Sequence, residues 1–551
     1  MRYVRHISTK QTPQSAPIPG EDQVRNSAGG FVYAVDNWIR LRRFLILGSE
    51  GGTYYATEAK LTRKNAEAVV ACIQEDGPRA VREIVEISNA GRAPKNDPAV
   101  FALALAMAHG DDETKRLVVE LMPRVCRIGT HLFHFADAVN EMRGWGKMLR
   151  QAVSTWYGTK NTRDLALQTV KYKQRDGWSH KDLLRLAHVK PNDDEQNAIF
   201  NWVAKDNVAV DQFRDTDANL IWASDQAQRA DKPELLDLIA KHGLPREALP
   251  TECLKDPDIW AAMLPSMGLT ALIRNLANMT RCGLIEQGMS DAVRLIIDRL
   301  SDDDALAKAR IHPIQMLSAL VTYSSGTGAR SRGAGWTPNQ NVVDALDAGF
   351  YKCFRSVEPT GKRHLLALDV SGSMGGGLIA GVPGLSPRIA SAAMAMVTLA
   401  TEQDAQTVAF TRSGDGLYQS TNGSYYTVPN ALVPMDLSKR RRLDDVVKSI
   451  SGLPFGGTDC SLPMLYAMDR KIIVDAFVVY TDSETWAGNI HPSQALRQYR
   501  ERFNPDAKLI VVGMVSNGFS IADPNDAGML DIVGFDTASP SLMADFVRGQ
   551  L

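Results

Sequence analysis

His364-Leu-Leu-Ala-Leu-Asp-Val-Ser-Gly-Ser-Met374 is the stretch on which the reading of this chain turns. An apolar run bounded by a Gly/Ser cluster predicts a buried strand whose carboxyl end presents Asp369, Ser371 and Ser373 from a single turn. Three small oxygen donors then face one point. A hard cation such as Mg²⁺ takes near-octahedral oxygen coordination, keeps several waters and uses only one or two protein carboxylates, a demand that one Asp and two hydroxyls meet. Downstream, Phe455-Gly-Gly-Thr-Asp459 is a glycine-led loop able to bring Thr458 close to another backbone. The apolar run Ile472–Tyr480 ends in Thr481-Asp482, which supplies a second acid. Taken singly, each of the five is an ordinary strand-end polar residue. Five in this order, with strands before the first three and the last, predict one site.

The surrounding texture agrees. Beyond about Thr360, apolar strands at His364–Asp369, Gln406–Phe410, Ile472–Tyr480 and Lys508–Met514 alternate with helices near 388–402, 440–451, 461–470 and 493–502. Such alternation predicts a mainly parallel, doubly wound α/β sheet covered on both faces, with ligands bound at strand carboxyl ends. The set Asp369, Ser371, Ser373, Thr458 and Asp482 resembles the metal-ion-dependent adhesion site of von Willebrand factor A domains.

Before that domain the pattern is helical. Segments 66–74, 79–88, 98–108, 112–126 and 130–143 carry apolar periodicity and are parted by Gly, Pro or Asp. Helices of this length on short connections pair antiparallel, and stacked pairs bury a continuous core as a HEAT-like α-solenoid. No tight sequence repeat accompanies the spacing, so a compact irregular bundle stays open beside it. Residues 23–33, 41–47 and 51–55 are apolar and aromatic runs separated by glycines, where a small hairpin is expected. Residues 1–20, with Pro13, Pro17 and Pro19 among Gln, Ser and Thr, are expected to form a flexible tail. The expected domains are therefore a 1–20 tail, a 21–360 helical part and a 361–551 α/β part.

Charge is unevenly spread. The chain of 551 residues has a formal net charge of −1, yet Glu141–Lys190 holds eleven Lys/Arg against four Asp/Glu, an excess of seven that leaves −8 for the rest. A near-neutral total argues against nonspecific polyanion binding by the whole surface, whereas this separation is what a local polyanion-binding face looks like. In Lys171-Tyr-Lys-Gln-Arg-Asp-Gly-Trp-Ser-His-Lys-Asp-Leu-Leu-Arg-Leu-Ala-His188, Ser179 with Asp182 makes a capping box, so a helix is expected to start at His180 and to stop before Pro191. Lys181, Arg185 and His188 then share one face, and Leu183, Leu184 and Ala187 another. Lys171 and Arg175, four apart, are expected on the preceding helix. These five donors beside Tyr172 and Trp178 suit phosphates with occasional base stacking; the bland reading is a solvated amphipathic face.

Apolar content of 44% and charge of 23% are those of a soluble globular chain. There is no run of about 18 apolar residues and no apolar leader at the N-terminus, so neither a membrane span nor secretion is expected. Cys72, Cys126, Cys253, Cys282, Cys353 and Cys460 form no Cys-x-x-Cys pair and no zinc spacing, which favours reduced thiols in a cytoplasmic protein. The Gly/Ser/Arg-rich loop 324–336 reads mostly as a linker, with Arg330 and Arg332 able to touch an anion.

Together, residues 23–33, 171–191, Leu269-Thr-Ala-Leu-Ile-Arg-Asn-Leu276, Asp369–Met374 and Gly456-Gly-Thr-Asp-Cys-Ser-Leu-Pro463 resemble the Ro autoantigen (TROVE-domain) family, across nearly everything after residue 20. The resemblance implies a monomeric ring of HEAT-like helices closed by a von Willebrand A domain. It implies small Y RNAs on the outer surface, single-stranded ends of misfolded noncoding RNAs in the cavity, and in bacteria an exoribonuclease partner. Carried over by motif position, Lys171, Arg175 and His188 are the expected Y RNA contacts; Lys181 and Arg185 join them from the helix-face argument alone. The five metal positions carry over without substitution, with Mg²⁺ the expected ion. The proline-bearing N-terminus and the segment Gly375–Pro387 depart from the family pattern, and the latter puts an adhesion-type role for the site in question. A binding scaffold and not an enzyme is expected. The rivals are a metal-dependent protein-adhesion module and a metal-dependent phosphoesterase. Phosphoaspartate chemistry usually wants a second acid where Ser371 stands, and two-metal nucleases want more carboxylates than two.

Overall fold

The computed structural model describes residues 11–50, 52–205, 208–327, 335–354, 358–379, 382, 385–411, 417–419, 425–427, 432–437, 441–451 and 456–550. Arg330 and Arg332, Phe455 and parts of the 375–387 segment lie outside the described residues.

The chain divides into two compact units, Ala66–Gly349 and a second made of Met1–Asn65 with Phe350–Leu551. In the first unit the helices follow the spacing read from the sequence: Asp97–His109, Asp112–Val125, Gly129–Arg143, Lys147–Gly158 and Thr162–Lys171 come in succession. Many begin where an Asp, Asn or Ser accepts from a first-turn amide, as Asp111 does from Thr114, Asn161 from Asp164 and Asp193 from Gln196. Segments 66–74 and 79–88 lie in one helix, Glu58–Asn89, broken at Asp76, whose φ of −153° is not helical. Pro78 lacks the donor that would continue the turn, and Asp76 re-caps the chain by accepting from Arg79 N at 2.9 Å. The array returns on itself. Arg310 Nε donates to Asn89 O (2.9 Å), His312 Nε2 lies 3.1 Å from Arg92 O, and Gln315 Nε2 donates to Pro94 O (2.8 Å).

The second unit is built on a six-stranded sheet. Its strands, numbered with two short N-terminal ones, are β1 Val24–Arg25, β2 Phe31–Ala34, β3 His364–Asp369, β4 Ala405–Phe410, β5 Leu432–Met435, β6 Ala476–Thr481, β7 Lys508–Gly513, β8 Phe519–Ser520 and β9 Met529–Val533. The order is β9-β7-β6-β3-β4-β5, parallel throughout except for the antiparallel edge pair β4–β5. β3 and β6 are buried along their whole length, as continuous apolar runs in a sheet covered on both faces must be. Their parallel register sets Leu368 beside Tyr480, so the residues that follow, Asp369 and Thr481-Asp482, emerge side by side.

The N-terminus departs from expectation in a specific way. β1 and β2 form the expected hairpin, but β2 also pairs with β8, Ala34 against Phe519, which makes the early chain part of the α/β unit. The apolar run 41–47 lies in a helix, Asn37–Leu47. Its Arg43 is fully buried and meets both carboxylate oxygens of Asp531 at 2.7 Å. Nor do residues 11–20 trail: Gln14 is buried and donates to Asp459 Oδ1 (2.8 Å) and Ile490 O (2.9 Å), while Ala16 O lies 2.8 Å from His491 Nε2. Three prolines stiffen this segment, and it is its hydrogen bonds to distant backbone that hold it.

Candidate metal centre and nucleic-acid interface

Asp369 ends β3, and the chain turns at once. Asp369 Oδ1 accepts from Ser371 N (2.9 Å), and Ser371 Oγ lies 3.2 Å from Ser373 Oγ, so all three donors sit on one turn. Gly372 N donates to Gly456 O (3.2 Å), which lays the glycine loop against that turn. Thr411 grips the same loop, accepting from Gly456 N and donating to Gly457 O at 2.7 Å. Thr458 O in turn accepts from Trp486 N and Ala487 N in the loop that follows Asp482. Ser373 bonds to the Asp482 carboxylate. The five residues predicted from sequence are thus brought together, and all are buried.

The electrostatics ask for a cation. Burial raises both Asp369 and Asp482 above the ordinary carboxylate range, and for Asp482 the neighbouring Asp369 and then Glu484 add to it. Glu484, two residues on and also buried, is pushed up to about 7, chiefly by burial. Two cations act against this rise: Arg388, which donates to Val370 O and Ser371 O, lowers Asp369, and Lys64 lowers Glu484. Burial of neighbouring like charges remains costly, and a divalent cation is a group that would offset it. Two carboxylates with three hydroxyls are hard oxygen donors, so the residues fit Mg²⁺ and not a thiophilic metal.

Glu484 escaped the sequence reading, although its spacing from Asp482 was visible. So did the N-terminal clamp. Ala28 N donates to Glu484 Oε2 (2.9 Å), Asn26 Nδ2 to Thr485 O (2.7 Å), and Asn517 Nδ2 to Asp482 O (2.5 Å). A Cβ on Gly30 would stand 1.9 Å from Thr485 O, so only glycine permits this approach.

On the basic segment the expected helix is present as His180–Ala187, with the Ser179/Asp182 capping box complete and Leu183, Leu184 and Ala187 buried. Lys181 and Arg185 share its other face; Arg185 is exposed and donates to Ala204 O at 3.4 Å. His188 is exposed but is the C-cap, at φ 51°, so it leaves the helix instead of completing its face. Lys171 and Arg175 do not share a helix. The helix ends at Lys171, whose Nζ sits 5.5 Å from the Tyr172 ring, and Arg175 stands on a two-residue strand paired with Trp178-Ser179. Asp176 and Gly177 both have positive φ, the signature of a type I′ turn, and the Asp-Gly pair was its legible signal. The hairpin is pinned to helix Gly129–Arg143: His134 Nε2 lies 2.9 Å from Asp176 Oδ2, and Trp178 Nε1 donates to Asp137 Oδ1 (2.8 Å). Trp145 stacks on Trp178 with centroids 5.8 Å apart. Arg175 has one acid beside it, Asp176, at 3.6 Å and in solvent, where such a pair is weak.

A helical array and a von Willebrand A-type α/β unit with a hydroxyl-rich acidic cluster at its strand ends, in one chain, define a narrow class of protein. The TROVE domain pattern matches residues 24–244 and 240–324, and the Ro60 vWA domain pattern matches 363–547. The chain belongs to the Ro60 family of TROVE-domain proteins. It is 40% identical to the RNA-binding protein RO60 of Deinococcus radiodurans over 552 residues, covering all of this chain and 99% of that one. It is 36% identical to the RNA-binding protein RO60 of Caenorhabditis elegans, over 98% and 92% of the two chains. The crystal structure of the D. radiodurans Ro (RSR) protein superposes with a TM-score of 0.67 at 39% identity, over 94% of this chain and all of that one.

Proposed function

We propose that this chain is an RNA-binding scaffold of the cytoplasm, without catalytic activity of its own. The observation that carries the reading is the outward set Arg175, Arg185 and His188, next to Lys171 and Lys181, on a hairpin–helix unit whose apolar side is buried. Small Y-like RNAs would lie on this face, held mostly through phosphates, and single-stranded ends of misfolded noncoding RNAs would enter the helical array. An exoribonuclease is the expected protein partner. Asp369, Ser371, Ser373, Thr458 and Asp482 would hold Mg²⁺, whose chemistry is to neutralise the buried acids and to offer an open position to a partner's carboxylate.

Filter binding of a Y-like stem-loop RNA tests the reading. Changing Lys171, Arg175 and His188 to neutral residues should weaken binding at least tenfold and flatten its salt dependence. Undiminished affinity would remove the assigned face. Turnover of RNA by clean protein that is lost in Asp369→Ala would overturn the scaffold reading.

A further inference from the structure

A second cationic cluster lies in the helical unit, away from residues 171–188 in sequence. Helix Glu58–Asn89 ends at Ser88-Asn89, and three arginines converge on that end. Arg127 Nη1 donates to Ser88 Oγ (2.9 Å) and Arg124 O (3.1 Å). Arg310, 221 residues beyond Asn89, donates through Nε to Asn89 O (2.9 Å). With its amide oriented to satisfy both sides, Asn89 accepts from Arg124 Nε (3.1 Å) and Nη2 (3.0 Å).

Each guanidinium therefore rests one edge on neutral acceptors, and among the described residues none of the three meets a carboxylate. Both Nη groups of Arg310 and Nη1 of Arg124 make no protein hydrogen bond among the described residues, and both side chains are exposed. Arg310 is near enough to oppose the charge on Arg127, which burial and then Arg310 hold below the usual arginine range. Three like charges have been gathered with nothing opposite them. Bonds to the Ser88-Asn89 end of the helix account for one edge of each arginine but not for the donors left over.

We propose that Arg124, Arg127 and Arg310 form a phosphate-binding site that takes a phosphodiester of bound RNA. The proposal rests on the RNA-binding reading above and extends it. Planar guanidiniums in a fork match phosphate oxygens, and a diester is the anion an RNA-binding surface meets. Position supports the assignment. Arg127 leads into helix Gly129–Arg143, and His134, five residues and so about 7.5 Å along that axis from its start, holds the hairpin carrying Arg175. One strand can follow the helix from the hairpin to the cluster.

The test uses the full chain and a fluorescein-labelled RNA stem-loop with a single-stranded uridine tail, titrated from low to physiological salt. The double variant Arg124→Gln/Arg310→Gln should lower the slope of log K against log[salt] by about 1.5 and weaken binding roughly tenfold. Arg310→Lys, which keeps the charge but not the fork, should restore most of the slope. An unchanged slope in the double variant, while Lys171→Gln/Arg175→Gln loses affinity, overturns the cluster and leaves the first face standing. Earlier melting with lost affinity that Arg310→Lys does not recover in slope means a helix cap only, and also overturns it. Wild-type protein without salt-sensitive RNA affinity removes both readings together.

Discussion

Asp531→Asn removes one charge from a pair with little access to water: the Arg43 side chain is 1% exposed and that of Asp531 9%. Breaking a buried pair by neutralising one partner costs about 3–5 kcal/mol, because the surviving charge is stranded. Arg43 keeps three other acceptors, Asn517 Oδ1 (2.8 Å), Phe519 O (2.9 Å) and Asn517 O (3.0 Å), which places the cost at the lower end, about 3 kcal/mol. A chain with two units has no single unfolding free energy, so the assay must be local. Hydrogen exchange followed by mass spectrometry over residues 37–47 and 508–533 reads the opening of this region directly. At about 1.4 kcal/mol per decade, protection should fall roughly 100-fold there. Asn517 also donates to Asp482 O, so peptides covering 482–485 should lose protection in parallel. A change below about threefold in residues 37–47 would refute the reasoning. The double variant Arg43→Met/Asp531→Leu should recover most of the loss, since an apolar pair of similar volume strands no charge.

Mg²⁺ at 100 times its dissociation constant should stabilise the α/β unit by about 2.7 kcal/mol, read by calorimetry with and without chelator, and Asp482→Asn should abolish the shift. Gly30→Ala should lose the same Mg²⁺ response although residue 30 touches no proposed ligand, because its Cβ would force the Thr485 carbonyl away. A full response in that variant would show the clamp to be dispensable. His134 is raised above the ordinary imidazole value, first by its bond to Asp97 and further by Asp176, with partial burial opposing. Its tie on the Arg175 hairpin is therefore complete below about pH 6.5 and lost as pH rises through the raised value. An NMR titration of His134 should show the elevation, and Asp176→Asn should lower it; an unmoved value would deny the contact.

What could be read in advance was local. Ser179 and Asp182 announce a helix start whatever the rest of the chain does, and His364–Asp369 reads as a buried strand because its apolar run is unbroken. That Asp369, Ser371, Ser373, Thr458 and Asp482 come together was legible because each follows a strand end or a glycine-led loop in order. What failed was long-range or depended on a turn. Lys171 and Arg175 have helical spacing, but Asp176-Gly177 supplies a type I′ turn that wins over it. β5 contains Pro434, which argues against a strand anywhere but at an edge, and an edge is where it lies.

The N-terminal segment was the deepest miss, and its cause is general. Gln14 and Asn26 read as solvated polar residues, and the apolar run 41–47 around Arg43 does not reveal that the guanidinium itself is buried. Their acceptors lie in the loops around residues 459, 485 and 517, and a buried polar side chain is tolerated only when such partners exist. The partner is absent from the local sequence, so the burial is too. The loop that carries Asp482 is consequently held in place by backbone that precedes it by more than 450 residues, with Ala28 donating to Glu484 two residues on. A truncation of residues 1–30, ten beyond the tail that composition suggests, would take away the clamp and leave every proposed ligand present; loss of Mg²⁺ response in that truncation, with the Asp369–Ser373 turn intact, is the outcome this geometry requires.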